Sequence, residues 1–196
     1  MVLVYIDSRK SLFLDTKDYE YFIGYIDESG SIRDLFFDSF LFLGIVAPSG
    51  GSYETGTATK DDWRWFLNAI LGPGGQVDKL VEAHKNICNI LERCNIIKLI
   101  VMILRPPPNL SYEERISLVK WYINECLKDF QRIQYDKIRL VGFYWMSESV
   151  GKDDTDLVRK VSNIIHNKNL SFYWIPYYFA QGVDAWKDLG FDYVML

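Results

Sequence analysis

IRLVGFYWMSESV, residues 138–150, is an apolar run of strand composition that closes on Phe143, Tyr144 and Trp145 and sets a single carboxylate, Glu148, just beyond them. An apolar run with so little polar interruption reads as a strand buried on both faces, the habit of parallel sheets. In parallel α/β proteins ligands are met at the C-terminal ends of the strands. A lone acid there, flanked by Tyr144 and Trp145, is therefore a candidate site residue. The same Glu148, with Ser147, Ser149 and Asp153 around it, also suits the solvated first turn of a following helix.

The neighbouring segments repeat the pattern. Upstream, IIKLIVMILRPPP (96–108) is a second buried strand, stopped by three prolines. Ser111 then opens a helix with Glu114 as its capping-box partner, and Ile116, Val119, Ile123, Cys126, Leu127, Phe130 and Ile133 follow at helical spacing. Downstream, Asp153 or Asp154 starts another helix, striped with Leu157, Val158, Val161, Ile164 and Ile165; LSFYWIPYY (170–178) follows as a strand, then a short helix around Trp186, then FDYVML. Strand and helix alternating over such short connections predict right-handed βαβ units and a parallel sheet. No strand is followed by a glycine-rich turn, which disfavours a Rossmann-like domain.

Towards the N-terminus, residues 1–19 read as a short strand and connector, and residues 20–196 as the main domain. YFIGYIDESG (21–30) predicts a strand closing on a Ser-Gly turn, and LFFDSFLFLGIV (35–46) a strand that pairs with it or lies beside it. PSGGSYETGTATKDD (48–62) is a loop long enough to be either mobile or functional. Two helices follow, one striped with Trp63, Phe66, Leu67, Ile70 and Leu71, the next with Val77, Leu80, Val81, His84, Ile87, Cys88 and Leu91. His84 sits within an apolar stripe and reads as a core or boundary histidine. The whole predicts an α/β fold, a TIM-type (β/α) barrel that is partial: five or six strands of the eight required, in a chain short of the roughly 250 residues a barrel usually takes. The sequence ends inside a strand.

Composition narrows the partners. A formal net charge of -4 over 196 residues gives no electrostatic footprint for nucleic acid. No uninterrupted apolar segment is long enough to span a membrane. Three cysteines, Cys88, Cys94 and Cys126, fit no zinc spacing and predict buried thiols in a reducing, cytoplasmic compartment. Aromatic residues make up 16% of the chain, enough to furnish rings that stack on sugars as well as core.

Six segments, FFDSFLFLG, WRWFLNAIL, VDKLVEA, GFYWMSESV, FYWIPYY and GFDYVML, resemble in that order the family catalogued as domain of unknown function 4855. The resemblance implies a glycoside-hydrolase-like barrel acting on carbohydrate without a cofactor or metal. It places Glu148 at the barrel mouth as general acid or base, with Trp145, Tyr177 and Tyr178 among the aromatic residues lining it. Tyr144 neighbours them, and Asp38 matches the acidic residue of the FD-x-FLFL segment. Glycoside hydrolysis usually takes two carboxylates, and the second is expected in barrel sequence that this chain lacks. YIDESGS with FLFLGIVA is also similar to the first hairpin of the family catalogued as domain of unknown function 3800. That would imply a ribonuclease H-like, magnesium-dependent nuclease using Asp27, Glu28 and Asp38. A third expectation is a non-catalytic barrel remnant that associates with itself or a partner through its open edge.

Overall fold

The computed structural model describes residues 1–8 and 13–195. In chain order the elements are β1 (Val2–Tyr5), α1 (Thr16–Ile23), β2 (Gly24–Ile26), β3 (Ile32–Leu35), β4 (Ser39–Leu43), α2 (Lys60–Leu71) and α3 (Gln76–Leu91). They continue as β5 (Ile97–Ile103), α4 (Tyr112–Phe130), β6 (Ile138–Trp145), α5 (Lys152–His166), β7 (Ser171–Trp174), a 3-10 turn at Val183–Ala185, and β8 (Tyr193–Val194). Six strands form one parallel sheet in the order β1-β4-β5-β6-β7-β8, so each lies beside the strand of this sheet that comes before it in the chain. A doubly wound sheet reverses its strand order at a switch point. This one never reverses, and it curls into a half-barrel of six strands.

Strand β1, the short strand expected within residues 1–19, belongs to that sheet and pairs with β4. Residues 21–23 are a correction. They are the end of α1 and not a strand, because Asp15 and Asp18 form a capping box that starts a helix, which then buries Tyr19 and Ile23, four apart, on one face. The Tyr19 hydroxyl donates to Gln76 Oε1 of α3 at 2.8 Å and holds that face down. What remains of the expected strand is β2, which pairs antiparallel with β3 in a separate hairpin. Capping boxes also open α2 (Thr59 with Asp62) and α4 (Ser111 with Glu114). Helix α5 is capped by Gly151, and Asp153 and Asp154 lie in its first turn.

The register sorts the side chains onto two faces. Val4, Phe42, Val101, Phe143 and Phe172 lie side by side and are buried, as are Trp145 and Trp174 farther along the same face. They pack with the apolar stripes of the helices in one continuous core that includes Trp63, Phe66, Val119 and Val161. Burying each such large side chain contributes roughly 1.5–3 kcal/mol. The opposite, concave face carries Leu3, Leu41, Ile100, Gly142 and Ser171 in register. It is the open side: Leu3 and Tyr5 on the edge strand are exposed, as are Lys98 and Arg139 at its N-terminal end.

A bulge at Val141 resets the register of β6 against β5. The next residue, Gly142, allows β7 to come close: a Cβ there would stand 2.2 Å from the Ser171 carbonyl oxygen and 2.6 Å from the Tyr173 ring. Tyr173 in turn stacks on Tyr193, and with Ile100 and Val141 these rings line a cavity of about 230 Å³ in the concave face. Among the described residues no helix is long and apolar enough to cross a membrane.

Candidate functional site

All six strands of the sheet run the same way, so their C-terminal ends meet in one mouth. Glu148 stands there, three residues past β6 and exposed. The backbone on both sides of it is tied: Met146 N donates to Ile103 O at 3.0 Å, Trp174 Nε1 to Ser147 O at 2.8 Å, and Ser147 Oγ to Ser149 O at 2.9 Å. The segment is held to the ends of β5 and β7 and is not the first turn of a helix.

A second carboxylate comes from the long glycine-rich loop after β4. That loop is folded back on itself, with Ala47 N donating to Gly51 O, Tyr53 N to Ile45 O and Thr57 N to Ser52 O. Tyr53 is fully buried, and its carbonyl accepts the Arg105 N–H at 3.0 Å, fixing the loop to the end of β5. Gly56 makes the approach possible: its φ is 78°, and a Cβ there would meet the Pro106 carbonyl oxygen at 2.9 Å. Glu54, half-buried, is thereby brought to Glu148.

Burial raises the Glu54 pKa above the ordinary carboxylate value, the Glu148 charge raises it further, and Arg105 opposes the shift. Tyr144, buried on the concave face, lies within reach of both; burial pushes its hydroxyl up, and the charges of Glu148, Tyr5 and Glu54 add to the effect. Asp7, buried just beyond β1, acts in the same direction on Tyr53. A carboxyl whose pKa is raised by burial, set near a second carboxylate, is an arrangement that general acid–base chemistry can use.

Beneath the mouth lies a buried ion cluster. Asp154, in the first turn of α5, takes Arg105 Nε at 2.9 Å and also pairs with Arg115, in the first turn of α4. Both arginines and the aspartate sit at the mouth end of their elements, so the cluster ties the β5 and β6 loops to the two helix N-termini.

The remaining sequence candidates separate. Tyr144 lies on the concave face near Glu148 and, like Trp145, is buried. Trp145 is fully buried on the helix side, with its ring edge-on to Phe172 at 6.5 Å, and has no exposed face to offer a ligand. Tyr177 and Tyr178 are exposed beyond β7, together with Phe179, which sequence reading passed over. Their turn is joined to the Glu148 segment by Val150 N donating to Gln181 O at 2.8 Å. Asp38 is at the other end of the strands, before β4, where it pairs with Lys98 at 2.8 Å and accepts from Ser39 Oγ at 2.6 Å. Its position is that of a clamp on the bottom of the sheet, remote from the mouth.

Asp27 is occupied by turn chemistry. Its carboxylate accepts from Ser29 N, Ser29 Oγ, Ser31 N and Arg33 Nε, and these donors hold its pKa well below the usual range. Among the described residues, Asp27, Glu28 and Asp38 form no cluster that would hold an ion. The cysteines are a correction. Cys88 and Cys94 form a disulfide, because Glu92 takes a left-handed conformation at the end of α3 and turns the chain back, leaving the two Cα atoms 5.0 Å apart. Cys126 is a buried thiol. His84 is wholly buried, as its stripe predicted.

Comparison with curated proteins gives no match. A family model, described as Domain of unknown function (DUF4855), matches residues 1–196. With that match running the length of the sequence, the chain belongs to the DUF4855 family.

Proposed function

We propose that this chain is a carbohydrate-active protein of glycoside-hydrolase type, with Glu54 and Glu148 as its carboxyl pair. The observation that carries the reading is the convergence of two carboxylates from different loops at the C-terminal mouth of a half-barrel, with one of them holding its proton above the ordinary range. Glu54 is the general acid: it gives its proton to the glycosidic oxygen as the bond to the anomeric carbon breaks. Glu148 faces the other side, as base toward water or as nucleophile, and the anomeric configuration of the first-formed product tells the two apart. Exposed Tyr177 and Tyr178 supply rings on which a sugar chain stacks. Substrate is carbohydrate, and neither cofactor nor metal is required.

The test is hydrolysis of a panel of oligosaccharides and aryl glycosides by the full-length protein, beside its Glu148→Gln and Glu54→Gln variants. Each substitution is expected to lower turnover by about 10²–10⁴-fold, the usual worth of a positioned acid or base, with the fold intact by circular dichroism. A Glu148→Gln protein as active as the parent would sink the reading, and so would a parent that cleaves none of the panel.

A further inference from the structure

We infer that His84, Cys88 and Cys94 form a redox-gated site for a zinc-class divalent cation, closed when the two cysteines are joined and open when they are reduced. Their ligand atoms lie within 4.8 Å of one another, from two elements. His84 and Cys88 are four residues apart on one face of α3, and Cys94 returns over them from the turn that follows. None of this bears on the mouth: the site is at the end of α3 that leads into the start of β5.

The geometry meets what zinc demands. His84 Nε2 is 3.5 Å from Cys88 Sγ. Bond lengths of about 2.3 Å to sulfur and about 2.0 Å to nitrogen, taken across a tetrahedral angle, put those two atoms about 3.5 Å apart. Cys94 is exposed on its turn, so its sulfur has room to withdraw to the roughly 3.8 Å that two zinc-bound thiolates require. With the disulfide closed, His84 Nε2 donates to Asn95 Oδ1 at 2.8 Å and Nδ1 accepts from Tyr135 Oη at 2.9 Å. When the ion binds, the ring proton moves to Nδ1, where Tyr135 Oη accepts it, and Nε2 offers its lone pair to the ion. Asn95 Oδ1, the present acceptor of the Nε2 proton, must swing away to free the place the ion takes, and water completes the fourth coordination position.

The balance is simple. A dithiol reductant delivers two electrons and two protons to the Cys88–Cys94 bond and is itself oxidised to a disulfide. The cation then displaces both thiol protons into solvent, and two thiolates, one neutral imidazole and a divalent ion leave the site uncharged. A small-molecule disulfide reverses the sequence: it takes up the electron pair as two thiols, and the ion is expelled.

Cobalt(II) is the probe, added to the full chain as isolated and after reduction with a phosphine. The reduced protein should take up one equivalent, show a sulfur-to-cobalt charge-transfer band and release the cobalt to zinc; the oxidised protein should show no band. Cys94→Ser should abolish the band and Cys126→Ser should leave it unchanged. Tyr135→Phe, which removes only the positioning contact to Nδ1, should weaken binding about tenfold. A folded, reduced protein without the band would overturn the inference, as would a band that survives in Cys94→Ser.

Discussion

Replacing Asp154 with asparagine tests the platform under the mouth, and its cost follows from the burial of the cluster. The Asp154 side chain is 4% exposed and Arg115 8%, against 28% for Arg105. Arg105 reaches water and tolerates losing its partner. Arg115 does not, and its Nε is already a buried donor without an acceptor. Removing the carboxylate strands the Arg115 charge in a low-dielectric interior beside the N-terminus of α4, where the helix dipole also repels it. Breaking one partner of a buried pair costs about 3–5 kcal/mol. A chain of this length loses about 2–4 °C of Tm per kcal/mol, so the fall should be roughly 6–20 °C. The assay is thermal denaturation followed by circular dichroism. The double variant Asp154→Leu with Arg115→Met removes both charges and should recover most of the loss, because apolar replacement of a buried pair is close to neutral. A fall of less than about 1 kcal/mol, or a double variant no better than the single one, would show that water screens the cluster and would refute the reasoning.

Two further outcomes follow from the geometry. Gly142→Ala puts a methyl group 2.2 Å from a backbone carbonyl of the next strand, an obstacle no rotamer change relieves, and should cost about 3 kcal/mol, at the top of the overpacking range, measured by urea denaturation; a cost below about 1 kcal/mol would mean the strands part freely. Glu54 has a folded pKa above its unfolded one, so its contribution to stability is present below the ordinary glutamate pKa and is lost as pH rises through the raised value. Glu54→Gln should therefore melt above the parent at neutral pH and converge with it in acid, and a variant that melts lower at neutral pH contradicts this sign.

Much of the fold was legible because periodicity and capping are local. The buried runs at 97–103 and 138–145, the Ser111–Glu114 capping box and the stripe from Leu157 to Ile165 each carry their signal within a few residues, and short connections force parallel neighbours. The stretch at residues 21–23 misled because its apolar residues fit strand or helix equally, and the deciding signal, the Asp15–Asp18 box, lay upstream of it. The site was half legible. Glu148 follows its strand directly and can be placed by counting, whereas Glu54 sits in a loop where sequence gives no direction, and only the length of that loop hinted at a role.

By itself, then, the amino-acid sequence determined the strands of the parallel sheet, most of the helices and one carboxylate beyond β6, since each follows from patterns a few residues long, while the antiparallel β2–β3 hairpin did not follow from it. Which aromatic residue lies on the concave face of the sheet and which on the helix side, Tyr144 or Trp145, was decided by the register of β6 against β5, and a bulge shifts that register by one. The meeting of Glu54 with Glu148, the buried Asp154 cluster and the closeness of Cys94 to His84 and Cys88 came only from tertiary structure. Each joins residues from separate elements, and their approach is fixed by loop folding and close packing that no local pattern encodes.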